Sequence, residues 1–157
     1  MFSSFEFYNQ EAQPSVCLRT HTSIEQLPGL IVDAYGKIQR YLVQLGEEPA
    51  MPPYAAYFNM DMQNMEVELG FPVRRELPGE GELQPGWLPG GLVAQCLYTG
   101  PYDQIAAAYE ALGQWIPANG YDAVGPAYEF YLNDPAMVLP EQLQTRIVFP
   151  IKEKATA

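Results

Sequence analysis

The 157-residue chain has one histidine, two cysteines and eight basic residues against nineteen acidic ones. Each shortage removes a class of function. With His21 alone, neither a histidine-based catalytic triad nor a multi-histidine metal centre can be assembled. Cys17 and Cys96 are too far apart for a zinc knuckle, and buried free thiols are expected rather than a disulfide. A net charge of −11 leaves no basic patch for a phosphate backbone, so direct nucleic-acid binding is not expected. No apolar run approaches the length of a membrane span. Met1-Phe2-Ser3-Ser4-Phe5-Glu6 lacks a basic start and an apolar leader, so a cytoplasmic location is expected. No Walker loop occurs, Gly79-x-Gly81 lacks a dinucleotide-binding context, and neither metal nor cofactor is expected.

What is abundant is tyrosine, eleven of twenty aromatic residues, on a chain 48% hydrophobic. Tyrosine offers a flat electron-rich ring with a hydroxyl, which suits contact with flat or cationic organic molecules. The acidic balance favours cations near any cleft, or simply keeps the protein soluble.

The most informative stretch is Pro126-Ala-Tyr-Glu-Phe-Tyr-Leu-Asn-Asp-Pro135. Its alternation predicts a strand with Tyr128, Phe130 and Leu132 on one face and Glu129, Tyr131 and Asn133 on the other. The first set is expected beneath a helix, the second on an open, ligand-facing side. A carboxylate among aromatic rings is costly without a partner, and a bound ion can be that partner. The alternative is a strand-edge carboxylate in water or a structural hydrogen-bond partner.

The same pattern appears earlier, in Tyr54-Ala-Ala-Tyr57-Phe-Asn59, with Ala55 in the place of Glu129. The offset of 74 that relates Tyr57 to Tyr131 also relates Ala34-Tyr35 to Ala108-Tyr109 and Gly46 to Gly120. Cys17-Leu18 matches Cys96-Leu97 at 79, and Phe71-Pro72-Val73 matches Phe149-Pro150-Ile151 at 78. Each copy reads strand, helix, strand, strand. The first strands are Val16 to Thr22 and Leu92 to Thr99; the later ones are Tyr54 to Asn59, Met65 to Val73, Pro126 to Asn133 and Gln144 to Ile151. Leu27, Leu30, Ile31, Ala34, Ile38, Tyr41, Leu42 and Leu45 make one helical stripe, ended by Gly46. Ile105, Ala108, Tyr109, Leu112 and Ile116 make the other, with Gly100-Pro101 at its start. Tyr54, Ala56 and Phe58 are expected beneath the first helix. Between the copies, the Gly- and Pro-rich residues 77–91 are expected to lack regular structure. The reading is one domain spanning 1–157, with repeats at about 16–73 and 92–151.

Glu66 and Glu68 share a strand face, as paired acids or as a solvated surface; Glu68 draws attention because Arg146 stands in its place in the second copy. Trp87 and Tyr102 are candidates for pocket walls, or plug gaps in the core and at a helix start.

Gly100-Pro101-Tyr102-Asp103, Asn119-Gly120-Tyr121, Tyr128-Glu129-x-Tyr131-Leu132-Asn133-Asp134-Pro135 and Glu68-Leu69-Gly70-Phe71-Pro72-Val73 resemble the gyrase-inhibitor-like (GyrI-like) small-molecule-binding domain. That domain is also the effector-binding part of multidrug-responsive bacterial transcription activators. The resemblance runs from about Val16 to Lys152. It implies an α+β fold of two βαββ repeats about a pseudo-two-fold, an antiparallel sheet with two helices and a central ligand groove, the SOUL haem-binding-protein-like architecture. In drug-binding members, a glutamate at the position of Glu129 contacts lipophilic cations amid aromatic rings. The implied function is a free-standing domain that binds small lipophilic, cationic molecules at Glu129, with Tyr131, Tyr57, Glu68, Trp87 and Tyr102 around it. Two alternatives stay open. One is a hydrolase of cyclopropane-containing or other reactive compounds, with Glu129 catalytic; the other is a gyrase-modulating module with a protein partner.

Overall fold

The computed structural model describes residues 2–59 and 61–154. The chain forms two compact units. One is Glu11–Gly90; the other joins the N-terminal stretch through Gln10 to the chain from Gly91 onward. The fold is α+β, with antiparallel strands and one long helix in each unit.

In the Glu11–Gly90 unit, β2 (Gln13–Thr22) leads to α1 (Leu27–Gln44), then β3 (Tyr54–Tyr57) and β4 (Met65–Pro72). Strand β4 lies between β2 and β3, and β5 (Gln84–Leu88) adds to the free side of β2. The stripe seen in the sequence buries Leu27, Ala34, Ile38, Tyr41 and Leu42. Of these, Ile38, Tyr41 and Leu42 pack on Val16, Leu18, Phe71 and Val73. Helix α1 ends where Gly46 takes φ of 70°, letting the Glu47 N–H reach the Leu42 carbonyl at 2.9 Å. Glycine adopts that left-handed turn without the steric cost a side chain would meet.

The other unit repeats this order with β6 (Gly91–Thr99), α2 (Ala106–Ala118), β8 (Ala127–Tyr131) and β9 (Gln144–Glu153). Strand β9 lies between β6 and β8, β1 (Glu6–Gln10) adds to β6, and the short β7 (Tyr121–Ala123) pairs with the end of β9. Pro101 stays extended and Tyr102–Gln104 form a 3-10 turn, so the helix proper starts later than the proline suggested. Ala108, Leu112 and Ile116 are buried against Ala94, Cys96, Tyr98, Ile147 and Ile151. Burying Leu112 and Ile116 contributes about 1.5–3 kcal/mol each.

Three expectations are corrected here. Residues 77–91 are not devoid of regular structure, because β5 forms there. As an edge strand it tolerates Pro85 and Gly86. The edge strands are exchanged: β1 precedes β2 in sequence but pairs with β6, and β5 precedes β6 but pairs with β2. The offset between the first strands is 78 rather than 79. Leu18 faces Leu69 across its sheet as Cys96 faces Ile147 in the other. A one-residue slip turns every side chain over. Cys96 therefore lies under α2, while Cys17 points away from α1, beside Ser15 and Gly86. Both thiols are free and buried, and burial pushes Cys17 up to about 12 and Cys96 to about 11. They are unreactive at neutral pH.

The third correction concerns faces. Glu129 is directly opposite Ile147, and Tyr131 opposite Thr145. Ile147 belongs to the core under α2, so Glu129 and Tyr131 are on the helix side of their sheet. Phe130 lies on the reverse face, where the Arg146 guanidinium sits 4.5 Å from its ring centre. Leu132 falls just beyond the strand and is partly exposed. In the other unit the inversion is the same. Ala55 and Tyr57 stand opposite Leu69 and Val67, whereas Tyr54 and Ala56 share the face of Glu68, away from α1. Alternation shows which side chains share a face, and here both faces are aromatic, so nothing in the pattern indicated which would meet the helix.

Candidate functional site: a buried glutamate among tyrosines

Glu129 is the only buried acid among the described residues, with 9% of its surface exposed. It is held by β8, whose Tyr128 and Phe130 are buried on the other side of the sheet. Two hydroxyls donate to it. Tyr109, projecting from α2, donates to Oε2, and Tyr131, two residues along the strand, donates to Oε1 at 3.0 Å. Tyr102, in the 3-10 turn before α2, sets its ring edge-on to Tyr131, with ring centres 5.7 Å apart. Tyr109 packs edge-on against Phe149 at the same separation. The groups that bond the carboxyl, and the rings packed on them, are thus aromatic.

Among the described residues no lysine, arginine or histidine pairs with Glu129. Burial raises its proton affinity above the ordinary carboxyl value of 4.5, and the Tyr109 and Tyr131 hydrogen bonds oppose that rise only in part. Tyr102 is also pushed up, by burial first and then by the charges of Glu129 and Asp134. The site can therefore hold a proton or accept a cation, and its walls are suited to apolar and π contact.

The end of the strand is fixed by the residues that follow it. Asn133 donates to the Gln142 carbonyl at 3.0 Å and accepts from the Gln144 N–H at 3.0 Å, and Asp134 accepts from the Ala136 N–H at 2.8 Å. Within the Tyr-Glu-x-Tyr-Leu-Asn-Asp-Pro run, the second half holds the chain and the first carries the buried carboxyl and a tyrosine that donates to it.

The equivalent place in the other unit is apolar. Ala55 is fully buried, and the Tyr35 hydroxyl, in the position of Tyr109, donates instead to the Tyr54 backbone carbonyl at 2.7 Å. Only one copy of the repeat carries the acid.

The structure gathers Glu129, Tyr131 and Tyr102 and adds Tyr109, which the sequence had placed in the helical core stripe. The signal for it was present, since Tyr35 and Tyr109 recur at the same offset as Ala55 and Glu129. Tyr57 lies in the other unit, half-buried on the α1 side of its sheet. Glu68 is on the reverse face of that unit, where it accepts from the Tyr54 hydroxyl at 2.7 Å. Tyr54 is also 3.0 Å from the Ser15 hydroxyl. Glu66 pairs with Arg19 at 2.5 Å, so Glu66 and Glu68 have separate partners. Trp87 is half exposed on β5. Among the described residues no three His, Cys, Asp or Glu side chains gather as a metal ligand set would require.

Thr145, fully buried and opposite Tyr131, has a hydroxyl without a hydrogen-bond partner among the described residues. An unsatisfied buried hydroxyl costs about 1–3 kcal/mol. Thr145→Val, which keeps the shape and removes that group, should leave stability unchanged or raise it by about 1 kcal/mol in a urea titration. A loss of 1 kcal/mol or more would mean that the hydroxyl is bonded in solution.

These features define a βαββ-repeat domain whose second repeat alone carries an enclosed acid in a tyrosine cluster. The sequence model of the GyrI-like small molecule binding domain matches residues 4–152, and the chain belongs to that family. Solved structures share the fold. EcmrR in its DNA complex superposes with a TM-score of 0.84 at 20% identity over 98% of this chain and 58% of that one. A hydrolase from Listeria innocua gives 0.70 at 14% identity, covering 94% and 91%. SAV2435 bound to tetraphenylphosphonium gives 0.68 at 12% identity, covering 96% and 94%. The chain thus spans little more than half of the EcmrR chain. At these identities the likeness establishes the fold alone. Among curated proteins none matches the chain by sequence. Among the described residues no helix is long and apolar enough to cross a membrane.

Proposed function

We propose that the protein binds small lipophilic cations, as an effector-type domain, at the tyrosine-lined carboxyl of Glu129. The observation that carries this reading is a buried acid whose hydrogen-bond partners are tyrosine hydroxyls, with no basic side chain among the described residues to neutralise it. A soluble protein keeps such a group at a cost in stability, and an organic cation offsets that cost on binding. The rings of Tyr131, Tyr102 and Tyr109 supply cation–π attraction, about 2 kcal/mol per desolvated contact. Membership of a small-molecule-binding family and a structural relative bound to tetraphenylphosphonium support the same choice of ligand class.

The test is a titration of tetraphenylphosphonium and of the uncharged triphenylphosphine oxide, followed by calorimetry. Saturable binding of the phosphonium, at least tenfold tighter than that of the oxide, is expected. Equal affinity, or no binding of either, would contradict the proposal.

A hydrolytic reading uses the same residues. A carboxyl that holds a proton beside tyrosine hydroxyls is equipped for general acid–base work. A hydrolase is among the similar folds. This reading requires turnover of a strained cyclopropane electrophile by the wild type and its loss in Glu129→Gln.

A further inference from the structure

We propose that cation binding at Glu129 is a proton exchange, in which a lipophilic cation displaces one proton from the carboxyl. The inference rests on the cation-binding reading above and adds how that site is regulated and which ligands it prefers. For a permanent cation, the carboxyl O–H bond breaks, its electron pair stays on the carboxylate, and the proton passes to solvent. For an uncharged lipophilic amine the same proton moves to the amine nitrogen, forming an N–H bond and leaving an ammonium–carboxylate pair. Both cases balance without a further reactant, and both reach the same ion pair.

Three observations carry this. First, Glu129 is enclosed, and nothing cationic among the described residues compensates its charge. An isolated ionised carboxylate in such surroundings takes up a proton instead. Second, its partners suit both states. A tyrosine hydroxyl donates and accepts, so Tyr109 and Tyr131 can hold the carboxylate with two donated bonds. They can equally hold the acid, with one bond reversed. Third, the same position in the other repeat is Ala55, fully buried, so a neutral group is what this place in the fold takes when no ligand chemistry is asked of it.

Among the described groups of its own unit, Glu129 is the one placed to titrate. In contact with it are Tyr109 from α2 and Tyr131 from its own strand, with Ile147 of β9 directly opposite; Thr145 lies opposite Tyr131, Tyr102 beyond Tyr131, and Cys96 and Tyr98 one strand further on the same face. Cys96 is pushed up to about 11 by burial, and Tyr98 and Tyr102 are raised above the ordinary phenol value. The nearby carboxylates are Asp134, whose charge is felt at Tyr102, and Asp103, felt at Tyr98. No charged group contributes to the shift at Glu129.

The experiment is calorimetric titration of tetraphenylphosphonium bromide into the whole chain across a pH series, in two buffers of unlike ionisation enthalpy at each pH. The difference in heat between buffers of unlike ionisation enthalpy counts protons released. Close to one proton per cation is expected where the carboxyl of the free protein is protonated, falling to zero as pH rises through its raised folded-state value. Affinity should rise up to tenfold per pH unit over the range where protons are released. In Glu129→Gln, or in Glu129→Met should the first variant not fold, release should be absent and affinity flat with pH. Saturable binding without proton release and without pH dependence overturns the inference while leaving the cation-binding reading intact. Release that persists in the variant also overturns it, because the proton then comes from elsewhere. Absence of phosphonium binding at every pH overturns the cation-binding reading itself, and the inference with it.

Discussion

Glu129→Gln should weaken tetraphenylphosphonium binding at pH 8 by about 10- to 150-fold, and that of triphenylphosphine oxide by less than threefold. The range corresponds to about 1.5–3 kcal/mol for a hydrogen-bonded charge in a desolvated place. Glutamine keeps the volume of the side chain and one oxygen to accept from Tyr109 or Tyr131. What it removes is the negative charge, so the contrast between cation and neutral ligand isolates electrostatics from shape. The tyrosine walls remain in the variant, and their ring contacts account for the binding that persists. Side-by-side fluorescence or calorimetric titrations read the effect. An equal loss for both ligands would mean that the substitution disturbed the cluster and not its charge.

The second large effect is on stability, and its sign follows from the direction in which Glu129 is shifted. Burial raises the folded-state affinity of the carboxyl for its proton above the ordinary value of 4.5. The folded protein therefore binds a proton more tightly than the unfolded chain does. That contribution is fully present below the unfolded value and is lost as pH rises through the folded one. Stability should fall by up to about 1.4 kcal/mol per pH unit across that interval. The net charge of −11 adds a general loss as carboxylates ionise, common to wild type and variant. Glu129→Gln removes only the local part. Relative to wild type, the variant should gain stability as pH rises, in urea titrations at pH 5 and pH 8. A variant less stable than wild type by more at pH 8 than at pH 5 would mean that the ionised carboxylate is the form the fold favours.

Much of this could be read from the residues, and the failures have physical causes. Helical periodicity located α1 and α2 because each buries one stripe, Leu27 to Leu42 and Ala108 to Ile116. The duplication was visible because both repeats place Tyr35 or Tyr109 on the helix and Tyr57 or Tyr131 on the following strand. The orientation of β3 and β8 was not visible. Tyr128 and Phe130 are as aromatic as Tyr131, and the helix settled over the face that carries the acid. That choice is made by tertiary packing. Strand β1 and strand β5 were missed for a related reason. Glu6–Gln10 and Gln84–Leu88 are short and mostly exposed, and the strand state is supplied by pairing with β6 and β2, which are distant in sequence. Glu129 stood out from the sequence because its repeat-mate is alanine. Tyr109 did not, since a tyrosine in a helical stripe looks like core until its hydroxyl is seen on the carboxylate.

The most direct measurement is a crystal structure with tetraphenylarsonium, located by the anomalous signal of its arsenic. The account predicts arsenic within about 6 Å of the Glu129 carboxyl, with phenyl groups against Tyr131 and Tyr102. It also predicts that the substitution Glu129→Gln empties that site under the same soak. Arsenic found elsewhere, with Glu129 still closed in its hydrogen bonds to Tyr109 and Tyr131, would contradict it.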